Sequence, residues 1–247
     1  MSYSVEEIIS ELSKPTALLK VLVEGKDDAL VYRYIEGKLN DLISIDNKAD
    51  VIICGGRLEL IEVFESREKF KNTKVVFLAD KDMWFFVGVP KDYEDIVFTD
   101  GYSIENDIYI ESVFNSLLDR DDIKLFEGLI KELSIWFAFE VNRYKETGDS
   151  KCDVSVDRVC PNNTFCPNFK KSINFIDPPQ HLIDLICAEY TRALRGKNLF
   201  QALSRFLNKD RPSSFSYANL LKLGAKLENP KIEQLINKLS SKFQEYG

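Results

Sequence analysis

Leu18-Leu19-Lys20-Val21-Leu22-Val23-Glu24-Gly25 is the stretch on which the fold turns. Its aliphatic run, broken only by Lys20, is too short for a core helix and stops on an acid and a glycine. That is the pattern of a strand buried on both faces of a parallel sheet and closed by a turn. The pattern recurs at residues 51–54, closing on Gly55-Gly56, at 74–79, closing on Asp80, and at 96–99. Helical spacing separates these runs: Leu30, Val31, Tyr34 and Ile35 share one face, and a charged helix extends through Phe70. Ahead of them Val5, Ile8, Ile9 and Leu12 mark a short amphipathic helix that stops before Pro15. Alternating strand and helix predicts the α/β class, a parallel sheet of about four strands flanked by helices.

Residues 103–118 return to helical spacing, and from about Arg120 the sequence is mainly helical. The expected helices are 123–144, 180–195, 198–208, 217–226 and 231–243, with a Cys-, Pro- and Asn-rich loop over 148–179. The division predicted is a catalytic core with its N-terminal helix over 1–118. A mainly α-helical C-terminal region over 119–247 follows, for substrate, dimer or partner binding. No internal repeat is present.

Charge is unevenly shared. The net −7 divides into +5 over residues 149–247 and −12 over the first 148. Acid in one part and base in another suits a protein that binds a cation with the first and phosphates with the second, and solvated helix faces produce the same asymmetry. No apolar run approaches the roughly 20 residues that span a bilayer, and the first ten residues carry Glu6 and Glu7 where a signal peptide is basic, then apolar. The expected compartment is therefore cytoplasmic, with no membrane contact. Five cysteines, an odd number, predict reduced thiols.

The acids fall where parallel sheets keep their chemistry, at the carboxyl ends of the strands. Glu24 follows the first strand, Asp80 and Asp82 the third, Ser103 and Glu105 the fourth, and Asp28 lies four residues beyond Glu24. Carboxylates gathered at close range repel one another unless a cation neutralises them, and hard oxygen donors select Mg²⁺ or Mn²⁺. Paired ions of that kind suit in-line displacement at phosphorus, which points to phosphodiester hydrolysis. The single histidine, His181, lies far along the chain, so a histidine base is not prominent. Each acid taken alone is equally a solvated turn residue; order and spacing carry the reading.

Val21-Leu22-Val23-Glu24-Gly25-Lys26-Asp27-Asp28, together with Phe77-Leu78-Ala79-Asp80-Lys81-Asp82, resembles the Toprim domain over about residues 18–118. Type IA and type II topoisomerases, bacterial primases, small ribonucleases and OLD-family nucleases share that domain. Gly101-Tyr102-Ser103-Ile104-Glu105-Asn106 resembles the Ser-x-Glu element of OLD-type nucleases, and Gly196-Lys197 their late basic motif. Taken together the motifs are similar to those of a bacterial family of Toprim proteins that includes the nuclease subunit of the PARIS anti-phage system.

The resemblance implies a role for each matching residue. Glu24 is the metal ligand and proton handler, Asp80 and Asp82 are the metal-binding pair, and Asp28 is a further acid. Glu105 completes a second metal site beside Ser103, and Lys197 brings positive charge to the scissile phosphate. Gly25 and Asn106 support these motifs. It further implies a Mg²⁺- or Mn²⁺-dependent endonuclease that acts as a toxic defence effector. Such an effector is released from a partner ATPase of the ABC or SMC-like type, is a homodimer when active, and cuts RNA, with transfer RNA the family's target. The alternatives are a DNA-cleaving OLD-type enzyme and a non-catalytic regulatory subunit of the ATPase. A housekeeping primase or topoisomerase ranks below them, because those need further domains and no strand-attacking tyrosine stands out.

Three remaining features have both bland and functional readings. Cys152, Cys160, Cys166, Cys187 and His181 are numerous enough for zinc but contain no Cys-x-x-Cys knuckle, so buried thiols are expected. Trp84-Phe85-Phe86-Val87 could stack on nucleobases, although core or interface packing is the commoner fate of such a run. The pairs Lys170/Lys171, Arg192/Arg195 and Lys209/Arg211 could line a phosphate-binding face or be scattered surface charge. Lys197 also begins an amphipathic helix, where a lysine is equally a solvent-facing charge.

Overall fold

The computed structural model describes residues 3–26, 28–42, 48–209 and 215–245, so Asp27 and Arg211 lie outside it. The protein is α/β, as expected: four parallel strands, β1 (Leu19–Val23), β2 (Ala49–Ile53), β3 (Val75–Ala79) and β4 (Val97–Phe98), in the order β2-β1-β3-β4. Every residue of β1 and β3 is buried, which is why these two strands read as unbroken apolar runs. Lys20 interrupts the first run without breaking the strand. Its Nζ reaches Asp50 Oδ2 at 2.6 Å, directly opposite on β2, so the buried ammonium has a cross-strand partner.

Contacts gather the chain into two compact units. They do not divide it at residue 118. The first unit comprises residues up to 80, 90–99 and from 221 onward, and it contains the whole sheet. Helix Ala29–Leu42 connects β1 to β2 and helix Arg57–Glu65 connects β2 to β3; with this strand order, the right-handed rule for such crossovers puts the two helices on opposite faces. Helix Pro230–Gln244 joins Ala29–Leu42 and packs on β3 and β4, while Val5–Leu12 packs on Arg57–Glu65. A reciprocal capping box starts Val5–Leu12: Ser4 Oγ accepts the Glu7 N–H and Glu7 Oε2 accepts that of Ser4. In helix Ala29–Leu42 the buried face is Val31, Tyr32, Ile35 and Leu39, and Leu30, expected on that face, is exposed.

The free edge of the sheet is closed by side chains of the same helix. Residues of a strand alternate the side on which they hydrogen-bond, so Ala49 and Val51 of β2 point away from β1. Asn40 Oδ1 accepts the Ala49 N–H at 2.7 Å, its Nδ2 donates to the Ala49 carbonyl at 3.3 Å, and Glu36 Oε1 accepts the Val51 N–H at 3.2 Å.

The second unit comprises residues 81–89 and 100–220. Its axis is helix Arg120–Thr147, whose Phe126, Leu129, Leu133, Trp136 and Phe137 form a buried seam against helices Gln180–Ala188 and Gly196–Leu207. Gly148, at φ +74, ends that helix in the left-handed conformation. Three expectations are corrected. The span 103–118 is not one helix but Ile104–Ile108, Glu111–Phe114 and a 3-10 turn at Asn115–Leu117, because Tyr109 and Ile110 turn extended. The span 180–195 breaks at Glu189, and the loop over 148–179 contains short helices at Val156–Val159 and Pro167–Ser172. Among the described residues no helix is long and apolar enough to cross a membrane.

Candidate functional site

In the first unit the register pairs Val23 with Leu78, so β1 and β3 end side by side and deliver Glu24 and Asp80 to the same edge. Glu24 Oε1 reaches across and accepts the Asp80 N–H at 3.0 Å. The backbone of Glu24 is fixed as well, its carbonyl accepting the Gly55 N–H at 2.9 Å. Gly55 sits at φ +113, a conformation open mainly to glycine, so the first position of the turn after β2 is required by geometry to be glycine. Gly25 differs: an added Cβ would meet nothing within 4 Å, and no local packing demands glycine there. Asp28 is buried just ahead of helix Ala29–Leu42, its carbonyl accepting the N–H groups of Val31 and Tyr32.

One residue at this edge escaped the sequence reading. Arg57 Nη1 donates to the Asp80 carbonyl at 2.9 Å and lies 3.7 Å from Glu24 Oε1. Its only sequence signal is its place directly after Gly55-Gly56, at the carboxyl end of β2. Beside it, burial first, and then the charges of Glu24 and Glu59, push the Cys54 thiol up to about 12.

The second unit holds the other candidates. Asp82 adopts φ +48, which is uncommon outside glycine, and its N–H donates to the Tyr102 carbonyl at 2.7 Å. Ser103 caps helix Ile104–Ile108, all five residues of which are buried although three are Glu, Asn and Asp. The cost of burying them is offset by hydrogen bonds. Asn106 uses every hydrogen-bonding position it has: Oδ1 accepts from Ser103 N (3.1 Å) and Ser103 Oγ (2.9 Å). Its Nδ2 donates to the carbonyls of Thr191 (2.9 Å) and Leu194 (2.8 Å). Asp107 accepts the N–H groups of Asp100 and Gly101 at 2.8 and 2.7 Å. Asn106 is thus a staple between two segments, and Glu105 is held by a residue the sequence did not suggest, Tyr217, whose hydroxyl donates to Glu105 Oε1 at 2.7 Å.

Ser103 and Glu105 come together here with Gly196, far from them in sequence. A Cβ on Gly196 would lie 2.6 Å from both Glu105 Cβ and Ser103 Oγ, so only glycine permits this approach. Lys197 follows in the first turn of helix Gly196–Leu207, half-buried.

The subsidiary features have the following contacts. Phe86, half-buried, packs on Phe85 and on the buried rings of Tyr102 and Phe137. Arg192 pairs with Asp100 and Glu189, Arg195 with Asp153, and Lys209 with Asp122, so these cations have carboxylate partners. Lys170 lies over the rings of Phe165 and Phe175, at 4.5 and 5.3 Å. All five cysteines are free thiols, and burial pushes Cys152 and Cys160 up to about 12.

Among the described residues no group of three or more His, Cys, Asp or Glu is gathered closely enough to hold a metal ion. The donors at the sheet edge are nevertheless of the right kind. Mg²⁺ keeps several waters and is commonly bound by one or two carboxylates plus substrate phosphates. Glu24 and Asp80 meet that requirement. No protein-family model matches the chain, and no curated protein matches it.

Proposed function

We propose that the chain is a divalent-metal-dependent phosphodiesterase that cuts nucleic acid, with Glu24 and Asp80 as its first pair of metal-holding carboxylates. The observation that carries the reading is the meeting of the β1 and β3 ends, where Glu24 spans to the Asp80 N–H at 3.0 Å. Two acids held together at the carboxyl edge of a parallel sheet are an arrangement that a cation relieves. When bound, Mg²⁺ or Mn²⁺ would supply Lewis-acid stabilisation of the charge that develops on phosphoryl oxygens. The chain's part is to hold the acids in place: Gly55 fixes the Glu24 backbone, and Asp80 is gripped at its N–H.

Asp82, Asp28, Glu105 and Lys197 enter the proposal on the sequence pattern, Asp82 and Asp28 as further ligands, Glu105 as ligand of a second ion and Lys197 as a cation at the phosphate. Ser103 and Asn106 are supports, and Asn106 has the contacts of one. The resemblance extends the reading to a toxic endonuclease of an anti-phage system that cuts RNA, transfer RNA above all, after leaving an ABC or SMC-like ATPase.

The test is cleavage of structured RNA and of duplex and single-stranded DNA by the purified chain with Mg²⁺, with Mn²⁺ and with chelator, beside Glu24→Ala. New RNA ends that need metal and vanish in the variant are expected. Metal-dependent cuts in DNA alone would move the substrate to that of OLD-type deoxyribonucleases. Identical, intact nucleic acid with both proteins would sink the enzymatic reading and leave a partner-binding subunit.

A further inference from the structure

Residue 80 is the first beyond β3, a position where a chain is normally free to turn, yet its peptide groups are held on two sides. Its N–H is taken by the Glu24 carboxylate at 3.0 Å, and its carbonyl by Arg57 Nη1 at 2.9 Å. The same Arg57 nitrogen lies 3.7 Å from Glu24 Oε1, so three strand ends meet in one closed set of contacts: β1 through Glu24, β3 through Asp80, and β2 through the turn that leads to Arg57. With both backbone groups gripped, the Cα–Cβ bond of Asp80 has a set direction. The guanidinium suits the task because its Nη1 amino group carries two N–H bonds and can face a carbonyl and a carboxylate at once, and the side chain is largely shielded from solvent.

We propose that Arg57 is a positioning residue for the metal-holding carboxylates, clamping Asp80 against Glu24 so that the two side chains are pre-arranged for a divalent cation. The inference rests on the metal-dependent reading above. It differs in sign from the plain alternative, in which Arg57 is a counter-ion that neutralises the acids. A counter-ion opposes a dication by Coulomb's law, so removing it should tighten metal binding. A clamp favours the dication, and removing outer partners of metal ligands typically costs about 10- to 100-fold in affinity.

The experiment is calorimetric titration of Mn²⁺ alone into the full chain, comparing wild type, Arg57→Ala, Arg57→Lys and Glu24→Ala, with thermal melts to confirm folding. Arg57→Ala is expected to bind Mn²⁺ about 10- to 100-fold more weakly despite the lost positive charge. Arg57→Lys, which keeps the charge and loses the fixed planar guanidinium, should fall between it and wild type. A folded Arg57→Ala that binds as tightly as wild type, or more tightly, overturns the proposal while leaving the metal reading intact. If the alanine variant does not fold, wild-type affinity in Arg57→Lys does the same. Absence of Mn²⁺ binding by the wild-type chain overturns both.

Discussion

The sheet edge of the first unit and the Ser103–Ile108 turn of the second both present acids, and they do so by opposite physics. At the edge, apolar burial does the organising: β1 and β3 are wholly buried, and Glu24 and Asp80 are simply what comes next along each strand. In the turn Ile104 and Ile108 are buried too, but three polar residues lie between them. Glu105, Asn106 and Asp107 are themselves buried, and their positions follow from hydrogen bonds whose partners lie as far as 112 residues away. Apolar packing is tolerant of shape and polar pairing is not, so the two regions should answer differently to near-isosteric substitutions.

The largest effect is expected for Asn106→Asp. It keeps the shape but turns the donor to Thr191 and Leu194 into an oxygen facing two carbonyls, and buries a charge; urea unfolding should show a loss of about 3–5 kcal/mol. Gly196→Ala comes next, at about 3 kcal/mol, because its Cβ would meet Glu105 Cβ and Ser103 Oγ at 2.6 Å. Tyr217→Phe removes one hydrogen bond to a buried carboxylate and should cost about 2 kcal/mol by the same measurement. Leu22→Met in β1 is expected to cost only about 1 kcal/mol, as volume-conserving swaps do. If Leu22→Met proved as damaging as Asn106→Asp, the contrast between the regions would collapse.

A pH experiment sharpens it further. Burial is the main cause that raises the carboxyl of Glu140 above its ordinary value of 4.5, against the lowering effects of the Lys151 N–H and Arg143. A folded-state value above the unfolded one means that its contribution is fully present below 4.5 and is lost as pH rises through the raised value. Unfolding free energy followed from pH 4 upward should therefore contain a declining component that is missing in Glu140→Gln.

This contrast also explains what could be read from the sequence. Strands β1 and β3 were legible to within a residue or two because a doubly buried strand leaves a local mark, a short aliphatic run that ends on a turn. Helix Val5–Leu12 was legible to the residue from its apolar spacing and the stop before Pro15. Glu24 and Asp80 followed as strand-end residues. The single helix expected over 103–118 failed because Tyr109 and Ile110 turn extended, a break that the helical spacing on either side does not mark. Arg57 and Tyr217 were not legible at all, since nothing local distinguishes an arginine or tyrosine that starts a helix from one that reaches a carboxylate across the fold. The acids that pair with Arg192, Arg195 and Lys209 were likewise not legible, since they lie elsewhere in the chain.

The side chains of Asn40 and Glu36 along β2 have a consequence for how this molecule meets others. An open strand edge is a template on which a foreign strand can be laid down, and many proteins aggregate, or recruit extended peptides, by that route. Here two of the outward backbone positions are already engaged, Asn40 imitating the donor and acceptor of a neighbouring strand at Ala49. Strand addition at β2 would first have to evict both side chains, so a partner approaching from that flank must recognise what the surface displays and not the polypeptide backbone beneath it.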